Sequence, residues 1–404
     1  MDNQILQDAA DRYGTPAYVF DLDAFSLRIR FIKEILGEKI RIYYAMKANP
    51  FLTGAAAQAA DGLEVCSPGE YAICRRAGVP AGKIVLSGVN KEARHIREVI
   101  KEQGARTYTA ESPGQLKVLE ECAAAEGTRL RVLLRLTSGN QFGMDEDTVL
   151  SAIKNRRIYP HLDIEGLQYY SGTQKKKPEK IQQELLRLDS LCRTIHRSLD
   201  YDIRELEYGP GFYIPYFQGE DAADEKSLLE DFKKLLDSLE FKGIIVLEAG
   251  RFLAGPCGSY LTRVVDTKTN QGQHYCIVDG GINHVNYYGQ AMAMKVPAYR
   301  FMPRNKEGTT DKPSGRRTGE HWTVCGSLCT SGDILVKNLP LPGLSTGDLL
   351  VFDRIGAYSV TEGIYLFLSR ELPRVLTYTR GEGLKQLRCA LRTDTINDGT
   401  ACIK

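Results

Sequence analysis

Between Ala17 and Lys268 the chain alternates short apolar, β-rich runs with longer stretches whose apolar residues recur at helical spacing. The pattern predicts strands at Ala17–Phe20, Ile40–Ala45, Leu63–Val65, Ile84–Leu86, Tyr108–Ala110, Leu130–Leu136, Ile164–Tyr169, Glu205–Tyr208 and Ile244–Glu248. Amphipathic helices are predicted at Ala24–Leu36, Pro68–Ala77, Lys91–Glu102, Gly114–Ala125, Lys180–Leu199 and Glu225–Ser238. Such alternation implies parallel βαβ units, and eight of them close into a (β/α)8 barrel. Nine runs are one too many. Ala17–Phe20 precedes the first helix and can belong to a second domain. Beyond Lys268 helical periodicity fades. Short β-rich runs at His274–Asp279, His321–Cys325, Asp348–Phe352 and Arg374–Thr379 are broken by Gly, Pro and Asn/Asp turns. The expected architecture is therefore α/β: a barrel over 17–268 and a β domain built from 1–16 and 269–404. Asn305–Arg317, polar with Gly and Pro, reads as an exposed loop.

Composition narrows the class. Lys and Arg number 53 against 51 Asp and Glu, a net charge of +2, with 43% hydrophobic residues in 404. This is an ordinary globular balance with no electrostatic footprint for nucleic acid or an anionic membrane. No apolar run reaches the roughly 18 residues a membrane span needs. Met1–Asp11 lacks the basic and apolar regions of a signal peptide. The ten cysteines are scattered, without a CxxC pair or zinc-ligand spacing, so reduced thiols in a cytoplasmic protein are expected and no metal is. His161, His196 and His284 are dispersed and read as structural.

In a barrel of this kind, chemistry sits at the C-terminal ends of strands. Tyr44-Ala45-Met46-Lys47-Ala48-Asn49-Pro50 puts Lys47 at such an end, either as an exposed loop lysine or as a desolvated nucleophile. Leu206-Glu207-Tyr208-Gly209-Pro210-Gly211-Phe212 ends another strand, and its glycines permit a plain turn or a phosphate-facing one. Leu247-Glu248-Ala249-Gly250-Arg251 offers a carboxylate for a protonated ring nitrogen and an arginine for a phosphate, or a simple i,i+3 ion pair. Gly326-Ser327-Leu328-Cys329-Thr330-Ser331-Gly332-Asp333 and Gly356-Ala357-Tyr358 lie in the β region, as turns or as site loops. Lysine, phosphate cradle and ring-nitrogen acid together are what pyridoxal 5′-phosphate (PLP) requires.

In this order the motifs are recognisable: the chain resembles the fold-type III PLP-dependent decarboxylases, the diaminopimelate, ornithine and arginine decarboxylases with an alanine-racemase-type barrel. The likeness runs from Gly14-Thr15-Pro16 to Gly356-Ala357-Tyr358 and beyond. Gln141-Phe142-Gly143-Met144-Asp145-Glu146 and Tyr170-Ser171-Gly172-Thr173-Gln174 look most like members acting on aminoacyl groups held by a carrier protein. The resemblance implies Lys47 as the Schiff-base lysine, Glu64 as an acid beside the cofactor, and Thr173 near the phosphate. It implies Gly209 and Gly211 as the outer glycines of the phosphate loop, with Pro210 replacing the middle one. Glu248 would pair with the pyridine nitrogen, Arg251 would lie on the phosphate side, and Tyr170 would stack on the ring where many members have histidine. Cys329, Thr330 and Asp333 would line the substrate and Tyr358 would contact phosphate, with the β-domain loops reaching across a homodimer interface. Cys329 would protonate the α-carbon.

Two departures bear on substrate. Thr330 stands where diaminopimelate decarboxylases carry a glutamate for the distal ammonium, a bond worth about 1.5–3 kcal/mol. Asn283-His284-Val285-Asn286-Tyr287-Tyr288 lacks the arginine expected to clamp a second carboxylate. Both point away from free diaminopimelate, toward an uncharged, thioester or amide distal end. The expected activity is a carboxy-lyase converting an amino acid or aminoacyl derivative to an amine and CO2. The alternatives are a racemase or epimerase on the same scaffold, diaminopimelate decarboxylase proper, and a noncatalytic PLP-binding protein, which the β domain disfavours.

Overall fold

The structure is a computed structural model and describes residues 1–220, 224–287, 292–304 and 320–400. Two compact units divide the chain. One comprises Ser26–Ile214 and Ala222–Leu253; the other comprises Met1–Phe25, Pro215–Asp221 and Ala254–Lys404. The first strand, β1 (Ala17–Asp21), belongs to the second unit.

The first unit is a closed barrel of eight strands. They are β2 (Ile40–Ala45), β3 (Gly62–Val65), β4 (Ile84–Leu86), β5 (Thr107–Ala110), β6 (Leu130–Leu136), β7 (Leu162–Tyr170), β8 (Glu205–Gly209) and β9 (Ile244–Ala249). Every neighbouring pair is parallel, and β9 closes onto β2 with Glu248 beside Tyr43. Tyr43, Val85 and Val246 fill the interior, with Ile244 against them. Burying Glu205 needs a partner, which Arg106 supplies at 2.6 Å.

Two helices show how local sequence sets the strand ends. Ser67 caps Pro68–Arg76 and Ser112 caps Pro113–Ala125, each accepting the N–H three residues on, with proline first in the helix. Glu70 and Gln115, in that third position, reach back to the N–H of Cys66 and Glu111. The chain just after β3 and β5 is thereby pinned.

The second unit is a mixed sheet. Its other strands are β10 (Gly258–Asn270), β11 (Gln273–Val278), β12 (Tyr299–Met302), β13 (His321–Cys325), β14 (Ile334–Pro340), β15 (Leu349–Asp353), β16 (Arg374–Thr379) and β17 (Gly383–Arg388). The order is β14-β13-β11-β10-β1-β16-β17, with β15 pairing β10 and β12. The helix Asn3–Tyr13, capped by Asp2, lays Leu6, Ala9 and Ala10 on Val19, Leu261, Leu349, Val351 and Leu376.

The barrel expected over 17–268 is shorter at both ends. Ala17–Phe20 pairs antiparallel with β10 and parallel with β16, and β10 itself runs on through the boundary drawn at 268. The helices Asn3–Tyr13, Thr53–Ala59 and Glu146–Lys154 also escape the sequence reading. The middle one is an alanine-rich turn with little polar contrast. The expected loop Asn305–Arg317, Tyr288 and Cys402 lie outside the described residues. Among the described residues no helix is long and apolar enough to cross a membrane, and no cysteine is in a disulfide.

Candidate active site

β2 ends at Ala45 and the chain turns at Met46–Ala48. Asn49, fully buried, accepts the Phe51 N–H through its side chain at 3.0 Å, and its carbonyl accepts the Tyr44 hydroxyl at 3.0 Å. Pro50 opens the next short turn, where its missing N–H costs nothing. The Lys47-Ala48-Asn49-Pro50 run thus sets Lys47 just past a strand end, its side chain 40% exposed.

The Lys47 ammonium donates to Glu64 Oε2 at 2.9 Å and to Glu248 Oε1 at 3.4 Å. Both acids are buried. Burial, and then the neighbouring charge of Glu64, push Glu248 up to about 8. Burial also pushes Glu64 up, but the Lys47 ammonium and the hydrogen bond from Glu248 outweigh it and hold Glu64 at about 2. Burial therefore disposes Glu248 to keep a proton, while the Lys47 ammonium favours the ionised form of Glu64. The exposed-loop reading of Lys47 gives way to a lysine held between two acids.

A third acid lies beside them. Glu207 on β8 is fully buried, and its carboxylate oxygen falls within 4.8 Å of those of Glu64 and Glu248. Gln168 on β7 donates to it at 2.5 Å. Burial, then Glu248 and Glu64, hold Glu207 far above the carboxylate range. Arg135 at the end of β6 pairs with Glu111 at 3.0 Å, under the ring of Phe142 at 4.8 Å. Glu111 also accepts the Gly143 N–H at 3.3 Å. This arginine is what anchors the Gln141–Glu146 segment and adds positive potential at Glu64 and Glu248. Lys91, after β4, donates to the Gly88 carbonyl at 2.9 Å, and burial pulls it down to about 8.

The loops after β7 and β8 lie against each other. Gly211 has φ +63, and a Cβ there would meet the Gly172 carbonyl oxygen at 2.0 Å. A Cβ on Gly209 would meet the Tyr170 ring at 2.6 Å. Only glycines allow this approach, which brings Gly209, Gly211, Tyr170 and Thr173 into one cradle. The Lys175 N–H donates to the Gly211 carbonyl at 2.9 Å and closes it. Arg251 follows β9 and is buried at the start of the short helix Arg251–Ala254.

The structure thus brings Lys47, Glu64 and Glu248 together, and Tyr170, Thr173, Gly209 and Gly211 together. Glu207, Gln168, Arg135, Glu111 and Lys91 were missed. Their signal was weak: polar residues inside runs that otherwise read as apolar strands or plain loops.

Cys329, Thr330, Asp333 and Tyr358 belong to the other unit. Cys329 is exposed. Asp333 is buried, and its two oxygens accept the N–H groups of Ile282 and Leu328, each at 2.8 Å. These two bonds help fold the Cys329 loop. Tyr358 has φ +70, ψ −42, a conformation costly for an aromatic residue and typical of functional loops. His284 is buried, with its ring on the Tyr260 hydroxyl at 2.9 Å.

A strand-end lysine, a buried carboxyl group at a neighbouring strand end and a glycine cradle fit PLP: an amine for its aldehyde, a carboxylate to pair with its protonated ring nitrogen and backbone donors for its phosphate. Fold and site together define a PLP-dependent barrel enzyme. The chain belongs to the pyridoxal-dependent decarboxylases: residues 22–255 match the family's pyridoxal binding domain. It is a PLP-dependent decarboxylase, a carboxy-lyase.

The chain is 29% identical over 399 residues to the L-glutamyl-[BtrI acyl-carrier protein] decarboxylase of Niallia circulans, covering 92% of this chain and 91% of that one. It is 27% identical over 366 residues to a diaminopimelate decarboxylase of Helicobacter pylori, covering 86% of each. The fold is that of diaminopimelate decarboxylase from M. jannaschii, solved with L-lysine: TM-score 0.83 at 22% identity, over 99% of this chain and 94% of that one.

Proposed function

We propose that this decarboxylase removes the α-carboxylate of an aminoacyl group whose distal end is uncharged or tethered, such as one carried on an acyl-carrier protein. The observation that carries the catalytic part is Lys47 held between Glu64 and Glu248. When bound, PLP supplies an aldehyde that captures amines and a ring that accepts the electron pair left by departing CO2.

The residues then divide the work. Lys47 offers its amine to the aldehyde, and Glu64 balances its charge in the resting site. Glu248, as a carboxylate at the end of its strand, would pair with the protonated ring nitrogen. Gly209, Gly211 and Thr173 present donors to the phosphate, Arg251 lends charge on that side, and the Tyr170 ring flanks the cofactor. Cys329 and Thr330 line the substrate and Tyr358 reaches the phosphate, contributed by a second copy in a homodimer. Cys329 delivers the proton to the α-carbon. A cytoplasmic setting belongs to this reading, from the scattered cysteine spacing of the sequence.

The tethered-substrate reading is supported by Thr330, which cannot supply a charge-assisted bond to a distal ammonium, and by the likeness to a decarboxylase named for a carrier-bound glutamyl group. The test is CO2 release from PLP-loaded protein given lysine, ornithine, arginine, glutamate or meso-diaminopimelate, and then glutamyl groups on a carrier protein. Silence with the free amino acids and release from the carrier-bound one is expected. Fast release from diaminopimelate would refute the argument from Thr330.

A further inference from the structure

We propose that Glu184 and Lys175 are positioning residues for the phosphate of bound PLP: one buried ion pair ties the loops after β7 and β8 into a single anion-binding cradle. The inference rests on the cofactor assignment above and goes beyond it by naming what holds the cradle in shape.

Glu184 comes from the helix Pro178–Leu199, outside both loops. Its carboxylate accepts from Ser171 Oγ at 2.5 Å, Lys175 Nζ at 2.6 Å and the Tyr208 hydroxyl at 2.7 Å. The side chains of Glu184 and Lys175 are 8% and 4% exposed, and Tyr208 is fully buried. Ser171 and Lys175 bracket Gly172-Thr173-Gln174, and Tyr208 immediately precedes Gly209. One carboxylate therefore grips both loops at the points where the cradle begins and ends. Gln174 locks the far side, trading hydrogen bonds with the backbone of Ile214 at 2.9 Å in both directions. Glycine loops have much conformational freedom to lose, so a fixed cradle needs such outside anchors.

Charge explains why the third donor is a lysine. A buried carboxylate near a phosphate site would oppose the dianion. The Lys175 ammonium cancels it, although burial pulls Lys175 below its ordinary value. The pair is thus neutral overall, giving shape without an opposing charge.

The test is equilibrium binding of PLP and of pyridoxal, which lacks the phosphate, to apo-protein, with a thermal melt of each variant. Lys175→Met leaves the Glu184 charge uncancelled; PLP affinity should fall about tenfold or more, while pyridoxal affinity changes little. Adding Glu184→Gln should restore most of the loss that is due to charge. Tyr208→Phe and Ser171→Ala each remove one neutral anchor and keep the charges, so they remain informative if Lys175→Met does not fold. Each should weaken PLP a few-fold and spare pyridoxal. Equal losses for both ligands, or none, would overturn the proposal. A wild-type protein that bound neither would instead overturn the cofactor assignment.

Discussion

Gly211→Ala isolates the cradle from the rest of the barrel. The methyl group would sit 2.0 Å from the Gly172 oxygen, 3.0 Å from the Gly172 carbonyl carbon and 3.2 Å from Thr173 Cα. All three are backbone atoms, so no side chain can swing aside. The left-handed φ of +63 adds about 1–2 kcal/mol for a residue with a Cβ. Forcing a methyl into packed backbone adds about 1–3 kcal/mol. The sum, about 2–5 kcal/mol, is smaller than the stability of a typical domain. The loop should therefore yield locally, separating Gly211 from Gly172 while the barrel stays folded. If that strain falls on the binding-competent loop, PLP affinity drops by roughly 30-fold to a few thousand-fold. The assay is absorbance titration of apo-protein with PLP alongside a thermal melt. Gly139→Ala is the control: φ is +92 there, but nothing lies within 4 Å, so it carries backbone strain without the collision. Gly211→Ala binding PLP within about threefold of wild type, with an unchanged melt, would refute the reasoning, because a tenfold change corresponds to only 1.36 kcal/mol.

Other outcomes follow from the same geometry. Glu248→Gln cannot pair as an anion with a protonated ring nitrogen, so CO2 release should fall about 100-fold or more, and a rate near wild type would remove Glu248 from that role. Cys329→Ala should give slower or misdirected protonation, seen as a transamination product that accumulates with decarboxylation; clean amine at the wild-type rate would exclude Cys329 as the acid. His284 is held down to about 3, first by burial and then by Arg370 and Arg388. Its neutral form is the folded one, so stability is full above pH 6.5 and is lost as pH falls toward the folded value. Between pH 6.5 and 4.5 wild type should lose about 2–3 kcal/mol more than His284→Gln in denaturant titrations, and parallel pH curves would refute this.

The barrel was legible because its strands are short apolar runs between amphipathic helices, and the eight strands from Ile40 to Ala249 appear where that pattern puts them. Lys47, Glu248 and the Gly209–Gly211 turn were legible for a related reason: each closes a strand and is chemically out of place there. Glu207 was not. It sits inside a run that reads as a plain strand, and only barrel closure shows that it shares a buried pocket with Glu64 and Glu248. Glu184 was hidden differently. On its own helix it is one acid among many polar positions, and its partners lie 9, 13 and 24 residues away. The surplus of one strand hinted that Ala17–Phe20 lies outside the barrel, but not what it pairs with: β1 joins strands more than 230 residues later, which no local pattern announces.

The most direct measurement is to reduce the PLP-loaded protein with borohydride and map the modified peptide by mass. Reduction fixes the cofactor to whichever lysine carries its aldehyde. Modification at Lys47, in the Ala45–Asn49 peptide region, is the result this account predicts. Modification at Lys91, a buried lysine that burial pulls down to about 8, or a spread over surface lysines, would contradict it.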